Sequence, residues 1–173
     1  GLKVLLCLNQ PPEYCSSYRS NGNKGGPPNK YPACGTEDGT QPWHYAAYAD
    51  WVRRVAARYG RSGSGFVDAL EIWNEPNLTQ EWSGWRHDAC PRTHKDWCEK
   101  DVEQYAACLK AAYVHAKKGD IAMPVGGGVT AGFDEPYFDG IKAHGGADFM
   151  NAVAFHGYEG GEIGEKGAGR APE

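Results

Sequence analysis

A carboxylate set between an amide and a proline is the strongest chemical signal in this chain. The run that starts at Phe66 closes with Leu70-Glu71-Ile72-Trp73-Asn74-Glu75-Pro76-Asn77. Its length and apolar composition suit a buried strand of a parallel sheet. Pro76 has no N–H for a ladder, so the strand is expected to stop before it. Asn74 and Glu75 then stand at the carboxyl end of a strand, where parallel α/β folds bind ligands and do chemistry. A second pair closes another apolar run, Phe155-His156-Gly157-Tyr158. Strand alternation puts His156 and Tyr158 on one side, so both can face the same cleft.

These groups need a scaffold, and the pattern supplies one. Leu2 to Leu8, Phe66 to Trp73, Ile121 to Val129 and Ala152 to His156 read as buried strands. Pro42 to Tyr59 reads as an amphipathic helix. Trp43, Ala47, Trp51, Val55 and Arg58 fall near helical spacing, Pro42 suits the first turn and Gly60 suits the stop. Lys95 to Lys118 is a second helix, with Val102, Tyr105, Ala106, Leu109, Ala112, Tyr113 and Ala116 on one face. Glu135 to Ala143 is a third, with Asp134 as its N-cap. Strands alternating with helices make an α/β fold with a parallel sheet. Gly126-Gly127-Gly128 interrupts the third strand. It lacks the context of a phosphate loop and reads as structural.

In that order, the motifs resemble those of a known family. Ile72-Trp73-Asn74-Glu75-Pro76-Asn77 resembles the acid/base motif on strand four of clan A glycoside hydrolases, the retaining (β/α)8-barrel enzymes. Phe155-His156-Gly157-Tyr158 resembles the His-x-Tyr at the end of strand six. The resemblance covers Leu2 to about Tyr158 and corresponds to strands three to six. It implies a partial TIM (β/α)8 barrel over residues 1–158, followed by a Gly-rich polar tail or loop over 159–173. It implies that Glu75 is the general acid/base and that Asn74 holds the 2-hydroxyl of the sugar being cleaved. It implies that His156 lines the sugar site and that the Tyr158 hydroxyl contacts the nucleophile. That nucleophile is a Glu ending strand seven, which has no counterpart here. Glu159, Glu162 and Glu165 follow the fourth strand too closely to supply it. A whole barrel takes about 250 residues, so the 173 residues here are expected to be a piece of a larger protein.

Sugar rings pack their C–H faces on aromatic rings and their hydroxyls on polar groups. Trp73, Trp82, Trp85 and Trp97 cluster around Glu75, and Tyr14, Tyr18 and Tyr31 lie in the first long loop. Trp82 and Trp85 are the candidate subsite residues, with Asn9 and Gln10 as polar partners. Trp43 and Trp51, on a helix, are expected in the core. The six cysteines are Cys7, Cys15, Cys34, Cys90, Cys98 and Cys108. So many point to disulfides and an oxidising, secreted or extracellular setting. Six cysteines allow 15 pairings. Local closure favours Cys15 with Cys34 and Cys90 with Cys98, leaving Cys7 and Cys108 as buried thiols. His87, Cys90, His94 and Cys98 have a spacing that could hold zinc. The disulfide is favoured over the metal, and no cofactor or metal is implied. Asn77-Leu78-Thr79 is a glycosylation sequon. A glycan so near Glu75 would crowd the cleft, so the site is expected to be bare.

The chain carries 18 Lys+Arg against 22 Asp+Glu, a net charge of −4, with no basic stripe. That gives no footprint for nucleic acid. No run approaches the ~20 apolar residues of a membrane span. The expected partners are an oligosaccharide or polysaccharide and the remainder of its own polypeptide. The leading reading is a fragment of a retaining glycoside hydrolase for a β-linked glycan, with both the β-xylosidase and the cellulase branches open. By itself the chain is expected to be inactive, since it lacks a nucleophile. The alternative is a noncatalytic carbohydrate-binding or structural module of an extracellular assembly, built on a degenerate barrel.

Overall fold

A computed structural model describes residues 2–9, 45–78, 81–82 and 97–157. In chain order the elements are β1 (Leu5–Leu8), α1 (Ala46–Tyr59), β2 (Ala69–Ile72), α2 (Glu99–Gly119), β3 (Val125–Ala131), α3 (Glu135–Ala143), a 3-10 turn (Ala147–Phe149) and β4 (Ala152–His156). The four strands form one sheet in the order β1-β2-β3-β4, and every pairing is parallel. Consecutive parallel strands with helical crossovers are the arc of a (β/α) barrel. A doubly wound sheet would reverse its order at a switch point. The α/β class and the strand order expected from the sequence are what the structure shows.

One face of the sheet is covered by helices. Leu8, Leu70, Ile72 and Val125 meet Tyr48, Val52 and Val55 of α1, Val102, Tyr105 and Leu109 of α2, and Tyr137 and Ile141 of α3. The other face carries small groups. A side chain placed on Gly126 would meet Glu71 and Ala154, so these three share it. Cys7 pairs in register with Glu71, and Ala152 with Gly126, which puts them on the same side. His156 follows by alternation.

The strands are shorter at their starts than the apolar runs. Phe66 and Ile121 are largely exposed and lie before their strands. The chain turns there instead. Asp120 accepts N–H bonds from Ala122 and Ser62. Burial opposes the charge on Asp120, yet these donors together outweigh it and hold the carboxyl below its ordinary range. At its far end β3 runs past the three glycines to Ala131, with a bulge between Gly128 and Thr130. The glycines do not break the strand; Gly128 adopts φ 86° and lets the ladder bulge.

Helix α1 is rolled relative to the face its Trp spacing predicts, keeping Val55 inside but not Ala47, Trp51 or Arg58. Tyr48, Ala49, Val52, Val55 and Ala56 are buried, whereas Ala47 and Arg58 are exposed. Trp51 is 37% exposed, and its ring packs edge-on against Tyr48. The expectation that Trp51 belongs to the core is corrected: alternatives one residue apart share a periodicity, and only packing on α2 selects the phase. Trp43 lies outside the described residues. In α2 the expected face holds, with Tyr113 only partly buried. Asp101 caps it by accepting from the Cys98 N–H at 3.0 Å. Asp134 caps α3 as expected, accepting from the Tyr137 N–H. Among the described residues, no helix is long and apolar enough to cross a membrane.

Candidate active site

The sheet ends at its carboxyl edge in a strained segment. Trp73 and Glu75 adopt φ of 71° and 45°, and Val129 on the neighbouring strand adopts 48°. Non-glycine residues in this left-handed region cost on the order of 1–3 kcal/mol each and persist only where surroundings dictate them. The dictating bonds are visible. The Trp73 N–H donates to the Leu8 carbonyl at 3.1 Å, and the Glu75 N–H donates to the Val129 carbonyl at 2.8 Å. The Trp73 indole N–H donates to the Glu81 carbonyl at 3.0 Å. The thiol of Cys7 reaches the Trp73 carbonyl at 3.1 Å.

Three buried tyrosines hold this edge from below. Tyr48 donates to the Leu8 carbonyl at 2.6 Å. Tyr105 donates to the Ile72 carbonyl at 2.8 Å and accepts from the Gly128 N–H at 3.0 Å. Tyr137 donates to the Pro76 carbonyl at 3.2 Å. Burial pushes all three phenols well above the ordinary tyrosine range, so they remain neutral donors. In the sequence Tyr105 reads only as part of a helix face, and Tyr48 and Tyr137 are not singled out. The missed signal is that a buried phenol needs a polar partner, and the partners nearest a strand end are its last carbonyls.

The strain aims Glu75 across the sheet. Its Oε1 lies 2.8 Å from Nδ1 of His156 at the end of β4. The two residues are 81 apart in sequence, and β3 separates their strands. Both side chains are partly buried, which leaves each an accessible edge. Asn74, the residue before Glu75, is partly exposed. Asn9 follows β1, and its Oδ1 is buried with no hydrogen-bond partner. Tyr158, Trp85 and Gln10 lie outside the described residues. So do Tyr14, Tyr18 and Tyr31, and Glu159, Glu162 and Glu165.

Trp82 is not a sugar platform. It is fully buried, edge-on between Trp73 at 5.3 Å and Tyr105 at 5.6 Å. Trp73 and Trp97 are buried too, Trp97 edge-on against Tyr137 at 5.1 Å. A ring sealed on both faces has none to offer a ligand. The sequence places these rings close to Glu75 but says nothing of which side of the backbone they take.

The sequon asparagine has a structural use. Asn77 is 5% exposed. Its Nδ2 donates to the Ala131 carbonyl at 3.2 Å and to Asp134 at 2.9 Å. Its Oδ1 accepts from the Ala131 N–H at 2.9 Å. With both amide hydrogens used inside the protein, a glycan has no place on Nδ2, in keeping with the expectation that the site is bare.

Among the described cysteines, Cys108 is a buried free thiol, as expected. Cys7 is free but exposed on the uncovered sheet face, which corrects its expected burial. Alternation sends Leu6 and Leu8 toward the helices and Cys7 away from them. Crowding by the surrounding chain, then the Glu71 and Glu81 charges, push its thiol up to about 11. Cys98 is disulfide-bonded. Cys15, Cys34, Cys90, His87 and His94 lie outside the described residues.

No protein-family model matches the chain, and no curated protein matches it. Solved structures do. The chain is 26% identical to the GH39 enzyme from Xanthomonas axonopodis pv. citri, over 71% of this chain and 22% of that one, with a TM-score of 0.44. A GH39 β-xylosidase from Caulobacter crescentus is 24% identical, over 65% and 22%, with a TM-score of 0.42. A monomeric β-xylosidase from Caulobacter crescentus CB15 is 26% identical, over 71% and 22%, with a TM-score of 0.43. The chain thus spans about a fifth of the length of these structures.

Proposed function

We propose that this chain carries the acid/base part of a retaining glycoside hydrolase acting on a β-linked glycan, an oligosaccharide or polysaccharide. The observation that carries this reading is the 2.8 Å contact between Glu75 and His156, made across the carboxyl edge of a parallel sheet. Glu75 is the general acid/base. In the first step its carboxyl protonates the glycosidic oxygen as that bond breaks; in the second it takes a proton from the attacking water. The contact to His156 engages Oε1 and leaves Oε2 for the leaving oxygen. Asn74 holds the 2-hydroxyl. Tyr158, Trp85 and Asn9 complete the sugar site, and the orphaned Oδ1 of Asn9 is a fitting acceptor for a sugar hydroxyl. The nucleophile is a second carboxylate, about 5–5.5 Å from the first in enzymes of this kind. It comes from the remainder of the polypeptide, so the chain by itself does not turn over substrate.

The test uses the whole protein. Glu75→Gln lowers kcat by about 10²–10⁴-fold for glycosides with poor leaving groups. Glycosides whose leaving groups depart unprotonated lose far less. Equal, small losses on both would show that Glu75 is not the acid. Glycan binding without turnover in the unmutated protein would favour the noncatalytic module.

The setting is part of the proposal. Cys90 pairs with Cys98 and Cys15 with Cys34, in a secreted or extracellular protein. The disulfide at Cys98 supports this. Mass spectrometry of unreduced peptides finds both links, and a Cys98 peptide joined to Cys15 or Cys34 would overturn the pairing.

A further inference from the structure

We infer that Asn77 is a positioning residue, whose side chain clips the segment after Glu75 onto the end of β3 and so holds the Glu75 carboxyl against His156. Four observations converge. Glu75 lies at φ 45°, a conformation its own side chain does not favour, so neighbouring bonds must impose it. Two residues later, Asn77 makes a reciprocal pair with the backbone of Ala131, accepting from its N–H and donating to its carbonyl. Ala131 is the residue in register with His156. The next residue, Gly132, donates its N–H to the His156 carbonyl at 2.8 Å. Asn77 therefore ties the two ends of the Glu75–His156 contact to one short stretch of β3. Asp134 fixes the clip in turn: its Oδ2 accepts from Asn77 and from the Trp97 indole, while its Oδ1 caps α3.

An aspartate in place of Asn77 keeps the size and the acceptor for the Ala131 N–H. It loses the donors and sets a carboxylate against Asp134 and the Ala131 carbonyl. Trp97→Phe removes the other hydrogen bond to Asp134 Oδ2 but leaves the Asn77–Ala131 pair. It is therefore a control for general loosening.

The catalytic meaning of this inference rests on the acid/base reading of Glu75; its geometric content does not. The measurement is the hydrogen exchange of the His156 imidazole N–H, followed by NMR on protein with ¹⁵N-labelled histidine. Disappearance of a signal in His156→Gln makes the assignment. Asn77→Ala and Asn77→Asp speed that exchange at least tenfold, while Trp97→Phe changes it less than twofold. If Asn77→Ala does not fold, Asn77→Asp decides. Unchanged exchange in folded Asn77→Asp would overturn the inference, as would an equal acceleration in Trp97→Phe. Intact turnover of Glu75→Gln on poor leaving groups would sink the acid/base reading alone, since the exchange rates decide the role of Asn77 without any substrate.

Discussion

Removing one oxygen atom, in Tyr105→Phe, tests how the carboxyl edge of the sheet is held. The ring is fully buried between Trp82 and Tyr137, and Phe keeps that packing. Only the hydroxyl is lost, and with it a bond to the Ile72 carbonyl and one from the Gly128 N–H. Both backbone groups are left in the interior, where Tyr105, Ile72 and Gly128 are all buried. An orphaned buried polar group costs about 1–3 kcal/mol, and partial relaxation recovers some of it. Two such groups give a loss of about 2–4 kcal/mol. In a cooperative unit of about 150–250 residues each kcal/mol moves Tm by about 2–4 °C, so the drop expected for such a unit is roughly 4–16 °C. Urea unfolding followed by tryptophan fluorescence measures the free energy, and an unchanged m value shows that the denatured state is not the cause. The Ile72 carbonyl directly precedes the strained Trp73, so the variant also loosens Glu75. A loss below about 0.5 kcal/mol would refute the reasoning, for it would mean that the two bonds are replaced without cost.

The glycines of β3 differ sharply in tolerance. Gly128→Ala places a methyl 2.4 Å from Phe138 at φ 86° and loses about 2 kcal/mol or more in urea melts. Gly126→Ala meets Glu71 at 3.4 Å and stays within about 1 kcal/mol. Cys7 is accessible yet holds its proton to about 11 against an ordinary 9.0. At pH 8 its thiolate is about 100-fold scarcer than that of an unperturbed thiol. The greater nucleophilicity of a high-pKa thiolate recovers part of this, so alkylation by iodoacetamide is roughly 10- to 100-fold slower and rises about tenfold per pH unit. Equal rates would contradict the shift. The same groups set an alkaline limit. Cys7 and Cys108 bind their protons more tightly folded than unfolded, so the unfolded chain loses protons first above about pH 9. Stability is full below that pH and falls above it, which thermal melts from pH 7 to 11 would record.

The elements were largely legible because each is dictated locally. The apolar runs ending at Trp73 and His156, the helical face of α2 from Val102 to Ala116, and the Asp134 cap depend on residues within a few turns of one another. The alternation of strands and helices then leaves few topologies, and the structure adopts the consecutive parallel order. Asn74, Glu75 and His156 were legible as polar types at strand ends, because a buried apolar run has to stop where such side chains begin.

Which partner each side chain meets was decided by tertiary structure. Local pattern does not show that Trp82 is sealed between Trp73 and Tyr105. Nor does it show that α1 turns Tyr48 inward and leaves Trp51 at the surface, or that Cys7 takes the sheet face away from the helices. Each of these is a choice between sides of an element, and a choice of side is made by what packs there. The left-handed backbone at Trp73 and Glu75 is a sharper case: local sterics disfavour it, and only bonds from β1, β3, α2 and α3 make it the stable state. Asn77 and His156 acquire their partners in the same way. Asn77 is 54 residues from Ala131, and His156 is 81 from Glu75, so their contacts exist only once β3 and β4 have joined the sheet beside β2.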